Sequence, residues 1–156
     1  FVNTSLHLHL KANLHFLEKK IINTSTNQAF LIVKTDEALN KNNEILNQNS
    51  SAIVLRNTAK NIQIIGNHIK SYNTVIFDDS SSNLLVKDNV LTSIPGGTKN
   101  QTFRSHYPNQ LKMDGNKHYG IANSVSVLFV GKGKAIVKNE KIASGKANYG
   151  EVEIDD

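Results

Sequence analysis

The chain has 156 residues, no cysteine and a formal net charge of +5 at pH 7. These values exclude a disulfide framework and thiolate metal sites, and no apolar run approaches the roughly 20 residues that a membrane helix needs. Hydrophobic residues make up 38% of the chain, and many Asn, Ser and Thr residues favour strands joined by polar turns. Because the chain begins with Phe1, we expect a processed protein or a section of a longer one.

Four segments in the first half of the chain have the composition of strands. "SLHLHL" alternates strictly between apolar and polar residues, and the other three are β-branched and apolar. In chain order they are Ser5 to Leu10, Ala29 to Lys34, Ser51 to Arg56 and Thr74 to Phe77. Each of these segments precedes one copy of an internal repeat, and that repeat predicts the fold.

The repeat is a nine-residue pattern that recurs at intervals of 22 to 27 residues. Its six copies are Asn13 to Ile21, Glu37 to Ile45, Asn61 to Ile69, Asn83 to Leu91, Gln110 to His118 and Lys134 to Ile142. The second and fourth positions are mostly apolar, so both face one side of a strand, and the ninth position begins another short strand. Asn40 and His118 break this apolar rule.

Asparagine fills the seventh position of four copies, as Asn43, Asn67, Asn89 and Asn116. We expect these residues to adopt left-handed backbone angles at a corner and to stack into a ladder of side-chain amides. The ladder should end where Lys19 or Lys20 and Glu140 replace the asparagine.

Three short strands and three polar corners cannot bury themselves alone, so each coil must stack on the next. The sequence resembles the right-handed parallel β-helix of the pectate lyase-like superfamily, which includes polysaccharide lyases, uronan epimerases, polygalacturonases and phage tailspikes. The predicted fold is an all-β, right-handed, single-stranded parallel β-helix of about six coils of 22–27 residues. We expect residues 1–156 to form one domain, as a section of a longer solenoid. An antiparallel sandwich would require Asn-Gly or Asp-Gly hairpins, and only Asp114-Gly115 fits.

Catalysis in the enzymes that the chain resembles takes place on the outer face of one sheet, beside long corner loops. The long corner predicted at residues 93–108 carries Arg104, His106 and Tyr107, and Lys112 follows on the next strand. A lyase needs a cation for the substrate carboxylate, a base and an acid, which these four residues could supply as catalytic residues. The alternative is that they are solvated loop residues without a function.

We assign substrate binding to four further residues: His7, His9, Arg56 and Asp78. His7 and His9 should face outward from a strand whose leucines face inward. Asp78-Asp79 resembles the carboxylate pair of polygalacturonases, but the other short motifs of that family are absent. The sequence predicts no metal site and no cofactor, and it gives no support to a Ca²⁺ site.

The positive charge indicates an anionic partner, and we expect an acidic polysaccharide. Nucleic acid is not expected, because six phenylalanines and four tyrosines are too few and too scattered for a stacking surface. The leading hypothesis is a secreted or cell-surface protein that binds, cleaves or epimerises a uronic-acid glycan. The alternative is a non-catalytic structural or adhesive β-helix, such as a phage tail or surface fibre. Open coil ends would allow homo-oligomers or end-to-end contacts.

Overall fold

A computed structural model describes residues 6–8, 14–24, 26–32, 35–56 and 58–155. For residues 6–8 and 31 it describes the backbone only. Within these ranges the regular structure consists of strands alone. They are β1 (Leu6–Leu8), β2 (Leu14–Leu17), β3 (Lys20–Asn23), β4 (Phe30–Ile32), β5 (Ala38–Lys41), β6 (Glu44–Asn47), β7 (Ile53–Leu55), β8 (Lys60–Ile65), β9 (His68–Ser71), β10 (Ile76–Asp79), β11 (Ser82–Lys87), β12 (Val90–Ser93), β13 (Phe103–His106), β14 (Asn109–Asp114), β15 (Lys117–Tyr119), β16 (Val125–Val130), β17 (Lys132–Lys138), β18 (Lys141–Ser144), β19 (Lys146–Asn148) and β20 (Glu151–Asp155).

The strands form three sheets in which every neighbour is three strands away along the chain. Sheet 1 has the order β1-β4-β7-β10-β13-β16-β19, sheet 2 the order β2-β5-β8-β11-β14-β17-β20, and sheet 3 the order β18-β15-β12-β9-β6-β3. All pairings between these strands are parallel. The chain therefore visits the three sheets in turn on each coil. The predicted parallel β-helix is confirmed, and the antiparallel sandwich is excluded.

The strand register agrees with the six repeat copies. Leu14 pairs with Ala38, Ala38 with Ile62 and Ile62 with Leu84, which are all second positions of the repeat. Val86 pairs with Met113 and Met113 with Val137 at the fourth position. The sequence pattern thus predicted which residues lie above one another in sheet 2.

The inner faces of the three sheets enclose one continuous hydrophobic core. Ile62, Ile64 and Ile69 are fully buried in one coil, and Leu84 and Leu91 are buried in the next. Aromatic rings also contribute to the core: the ring centroids of Phe16 and Phe30 lie 5.0 Å apart, edge to face, and those of Phe103 and Phe129 lie 6.1 Å apart. Each coil buries its apolar residues only because its neighbours cover them.

Four buried asparagines form the predicted ladder along the corner between sheets 2 and 3. In Asn43, Asn67, Asn89 and Asn116, the backbone N–H and the side-chain amide both donate to a side-chain oxygen on the next coil, at 2.8–3.1 Å. The second amide hydrogen of each residue reaches a backbone carbonyl on the coil before, at 2.8–2.9 Å. These polar groups are therefore satisfied although they are buried.

The ladder continues at Glu140, where the sequence predicted its end. The Glu140 Oε1 atom accepts both donors of Asn116, at 3.1 and 2.8 Å, and the Oε2 atom lies 2.5 Å from His118 Nε2. The Thr102 hydroxyl lies 2.8 Å from His118 Nδ1 and 3.0 Å from the Ser126 carbonyl oxygen. Both ring nitrogens of the buried His118 therefore have hydrogen-bond partners, Thr102 on one side and Glu140 on the other.

The left-handed backbone angles lie one residue before the ladder and not at its asparagines. The sixth position of every copy has a positive φ: Glu18 53°, Asn42 54°, Gly66 64°, Asp88 53°, Gly115 69° and Asn139 54°. The predicted angle was correct for the corner but was assigned to the wrong residue. The left-handed residue turns the chain, which leaves the next side chain pointing inward to the ladder.

A second buried polar column in sheet 3 was not predicted. Asn23, Asn47, Ser71 and Ser93 occupy equivalent positions on successive strands and are all buried. The Asn23 side chain donates to Asn47 Oδ1 at 2.6 Å, and Asn47 Nδ2 donates to the carbonyls of Ser50 and Ser51. The column thus supports the corner that leads from sheet 3 to sheet 1.

Candidate functional site

The predicted long corner at residues 93–108 includes a strand. Residues 94–102 form the irregular part, whereas Phe103–His106 is strand β13 of sheet 1. Phe103 and Ser105 are buried, so Arg104 and His106 point to the outer face of the sheet. The alternation in "FRSH" could have predicted this strand.

Arg104 and His106 belong to a row of charged groups across three strands of sheet 1. Arg104 Nε donates to His106 Nε2 at 2.9 Å, and His106 Nδ1 lies 3.6 Å from Asp79 Oδ1. The other carboxylate oxygen of Asp79 accepts from Arg56 Nη1 at 3.2 Å. We call Arg56, Asp79, Arg104 and His106 the sheet 1 charged row.

The surroundings of His106 favour the neutral form of its imidazole ring. Burial lowers the pKa of His106 below 6.5, and the neighbouring charge of Arg104 lowers it further, against the opposing effect of Asp79. Its Nε2 atom accepts a hydrogen bond from Arg104, which places the imidazole proton on Nδ1, towards Asp79. The basic nitrogen of His106 is therefore already occupied by the Arg104 side chain.

The Phe77 ring packs against the Arg104 and His106 side chains of this row. Its centroid lies 5.0 Å from the His106 ring, edge to face, and the Arg104 guanidinium carbon lies 5.9 Å from the same centroid. Phe77 pairs with Arg104 in register across β10 and β13. These contacts hold Arg104 and His106 along the sheet surface.

Asp78 points in the opposite direction from Asp79 and is buried. Asp78 Oδ1 accepts hydrogen bonds from the Ser81 backbone N–H at 2.9 Å and from the Ser81 hydroxyl at 2.5 Å, and Oδ2 accepts from the Ser105 hydroxyl at 2.6 Å. Burial raises the pKa of Asp78, and the serine hydrogen bonds oppose that rise. Asp78 therefore supports an interior corner and does not reach the outer face where we had predicted substrate contact.

Tyr107 lies at the corner between sheets 1 and 2, and its side chain is 61% exposed. Its φ is 49°, and left-handed angles also occur at the following corners, at Gly131 and Gly150. A methyl group on Gly131 would sit 2.4 Å from two carbons of the Tyr107 ring. The ring thus lies directly against the glycine backbone.

Lys112 lies on another sheet, apart from the sheet 1 charged row. It points outward from β14 and lines two adjoining cavities on the outer face of sheet 2, of about 360 and 180 Å³. Asn83 lines both cavities as well, so together they form one shallow groove. The groove residues with outward side chains are Asn61, Gln63, Asn83, Leu85, Gln110, Lys112, Lys134, Ile136 and Asp155.

Polar and aliphatic side chains alternate along one row of this sheet 2 groove. Gln63, Leu85, Lys112 and Ile136 are neighbours in register across four strands. Asn83 Nδ2 donates to Asn61 Oδ1 at 2.7 Å, which forms a surface counterpart of the buried ladder. Amides that can both donate and accept therefore lie beside an aliphatic strip.

Two lysines supply the positive charge of the groove, and they differ in their partners. Lys134 Nζ lies 3.0 Å from Glu153, which raises the pKa of the Lys134 ammonium group. In the described part of the chain, no carboxylate lies within 4.0 Å of Lys112 Nζ. Lys112 is therefore the groove cation that is open to an anionic ligand.

The sequence missed most of the groove residues. Asn61, Asn83 and Gln110 are first positions of the repeat, and each is the second residue of its strand with a positive φ, of 51°, 55° and 56°. The signal was the recurrence of an amide at this position, which was interpreted only as part of the repeat. Of the predicted binding residues, His7 lies in β1, where it pairs with Leu31, and His9 lies outside the described residues.

Across the described ranges, no group of three or more His, Asp or Glu side chains is arranged to hold a metal ion. The same ranges contain no helix with the length and hydrophobicity to cross a membrane. Comparisons with protein-family models, curated proteins and solved structures give no match to this chain. The resemblance to the pectate lyase-like superfamily therefore rests on the repeat and the parallel coils alone.

Proposed function

We propose that this protein binds an acidic, uronic-acid-containing polysaccharide along the sheet 2 groove and does not cleave it. The observation that carries the proposal is the groove itself, in which Lys112 has a free ammonium group among amides and aliphatic side chains. Its combined size is in the range of ligand sites in proteins. Such a partner would place the protein outside the cell or at its surface.

Apart from the Asp155 carboxylate, the groove chemistry matches the chemistry of a uronic-acid chain. Sugar hydroxyls both donate and accept hydrogen bonds, as do the side-chain amides of Gln63, Asn83 and Gln110. The carbon–hydrogen faces of a sugar ring are apolar and suit Leu85 and Ile136. A uronate carboxylate would form a charge-assisted hydrogen bond with Lys112.

The arrangement of the predicted catalytic residues favours binding over turnover. Arg104 and His106 lie on sheet 1, Tyr107 lies at a corner, and Lys112 lies on sheet 2. A lyase needs its cation, base and acid around one sugar ring. In addition, the Nε2 atom of His106 accepts from Arg104, so it is not free to accept a substrate proton.

The test is calorimetric titration of the protein with oligouronates from alginate and pectate at low salt. We expect micromolar to millimolar binding, and Lys112→Gln should weaken it about fivefold to tenfold through the loss of a charge-assisted bond. Lys141→Gln removes the same charge from sheet 3 and should leave the affinity within about twofold. The affinity of the wild-type protein should fall as the salt concentration is raised.

Two results would contradict the proposal. Absence of binding to any acidic oligosaccharide would remove the polysaccharide partner. An ultraviolet absorbance that rises during incubation, as unsaturated products form, would show a lyase instead of a binding protein. In that case Arg104→Gln and His106→Asn would be the first variants to test for loss of turnover.

A further inference from the structure

We propose that Tyr107 provides an additional sugar-binding position at the entrance of the sheet 2 groove, where its ring stacks on the face of one uronic-acid residue. This inference rests on the proposed polysaccharide function and adds a stacking contact to it. The position lies at the corner where β13 leads into β14, three residues before Gln110 of the groove. At about 3.3 Å per residue, the two side chains are within reach of neighbouring sugars of one chain.

The exposure of Tyr107 is the first observation. Its side chain is 61% exposed, whereas the other exposed large hydrophobic residues in the described part of the chain lie between 38% and 43%. An aromatic ring at a corner contributes little to the core, and tyrosine is a side chain that binding surfaces use for rigid, amphipathic contact. The exposed ring is therefore available to a ligand.

The backbone of Tyr107 is the second observation. Its φ of 49° is a conformation that bulky side chains rarely adopt, and Ser80, Gly131 and Gly150 occupy the left-handed positions of neighbouring corners. A left-handed angle costs free energy at a residue with a bulky side chain, and residues strained in this way cluster at ligand and active sites. The corner alone would be more stable with a glycine or an asparagine.

The surroundings of the ring are the third observation. Gly131 leaves space for the ring, and a methyl group on Gly133 would sit 2.3 Å from the Pro108 carbonyl oxygen. The segment "GKG" at residues 131–133 thus accommodates Tyr107 and Pro108 on the preceding coil. A ring supported in this way loses little freedom on binding, so a stacking contact costs little entropy.

The chemistry of the ring suits a sugar and not an anion. The face of an aromatic ring is electron-rich and attracts the polarised carbon–hydrogen groups on one side of a sugar ring. Tyr107 would therefore contribute equally to charged and neutral sugars, whereas Lys112 contributes only to charged ones. This difference separates the two contacts experimentally.

The experiment is calorimetric titration of wild type and variants with a tetrauronate and with its carboxyl-reduced, neutral counterpart. Tyr107→Asn should lower the affinity for both ligands about fivefold, and Tyr107→Phe should stay within about twofold of wild type. Lys112→Gln should weaken only the tetrauronate. Tyr119→Asn, which removes a tyrosine that is 43% exposed on sheet 3, is the matched control and should leave both affinities unchanged.

Thermal unfolding of the same variants shows whether a loss of affinity comes from a lost contact or from a loss of stability. Because asparagine tolerates left-handed angles, Tyr107→Asn should unfold at the same temperature as wild type or higher. Unchanged affinity in Tyr107→Asn, with Lys112→Gln still weakened, would overturn the stacking position and leave the groove in place. A loss in Tyr107→Phe as large as in Tyr107→Asn would also overturn it, because the hydroxyl and not the ring would then bind. Absence of wild-type binding would overturn both proposals.

Discussion

Each asparagine of the buried ladder uses its side chain in two ways at once. In Asn67, the Oδ1 atom accepts two hydrogen bonds from Asn43, while the Nδ2 group donates to Asn89 Oδ1 and to the Asn40 carbonyl. An aspartate could accept the hydrogen bonds from the coil before but could not donate to the coil after. The recurrence of asparagine at the seventh position therefore has a direct physical reason.

Substitution of Asn67 by alanine should lower the free energy of unfolding by about 2 kcal/mol, because it leaves the donors of Asn43 buried without an acceptor. Asn67→Asp should cost at least as much, since a carboxylate would face the Asn89 oxygen. Urea unfolding followed by circular dichroism measures both effects. Asn109→Ala, at an exposed asparagine, is the control and should change stability by less than about 0.5 kcal/mol. Equal effects at positions 67 and 109 would contradict the ladder.

The lowered pKa of His106 predicts how the stability of the protein changes with pH. Because its folded pKa lies below 6.5, the contribution of His106 to stability is present above pH 6.5 and is lost as the pH falls through the folded pKa. A nuclear magnetic resonance titration of the imidazole should give a midpoint below 6.5. Asp79→Asn should lower this midpoint further and Arg104→Gln should raise it, since these charges act in opposite directions. Shifts in the reverse order would contradict the sheet 1 charged row.

Among the strands and corners, the repeat predicted the register of sheet 2 because apolar residues at two-residue spacing have only one inward face. The left-handed angle was assigned one residue too late, because the sixth and seventh positions both contain residues common at turns, as in Gly66-Asn67 and Asp88-Asn89. Only the ladder geometry separates their roles. Patterns thus gave the order of the coils more reliably than the conformation of each corner.

The corners also explain why the sequence predicted only part of the candidate site. Arg104, His106 and Lys112 are near one another in sequence, yet a corner at Tyr107 directs them to different sheets. Asn83 and Gln110 are separated by 27 residues but line one cavity, because the coils stack in register. Sequence proximity was therefore a poor guide to the groove, and equivalent positions in successive copies would have been a better one.

The sixth position of the repeat offers a test of corner conformation. Glu18 is exposed and has a φ of 53°. The equivalent residue on the next coil is Asn42, which has nearly the same φ. Glu18→Asn should raise the free energy of unfolding by about 0.5 kcal/mol, because asparagine adopts left-handed angles more readily. Lys41→Asn, in a strand of the same sheet, should give no such gain. A lower thermal midpoint in Glu18→Asn would contradict the left-handed conformation of residue 18.

The whole molecule is a stack of coils whose faces serve different purposes. The inner faces form one core with two buried polar columns, and the outer faces carry the sheet 1 charged row and the sheet 2 groove. The positive charge of the chain would attract a polyanion from a distance, and the groove would fix its position at short range. The repeat therefore provides the scaffold, and we propose that the outward residues of successive copies provide recognition.

The sheet 2 groove is tested most directly by a map of backbone amide chemical shifts during titration with a tetrauronate. We expect the largest changes at Asn83, Gln110 and Lys112, with further changes at Tyr107. Residues of sheet 3, such as His68 and Lys70, should not respond. Changes confined to sheet 3, or no changes at saturating ligand, would contradict the sheet 2 groove as a polysaccharide site.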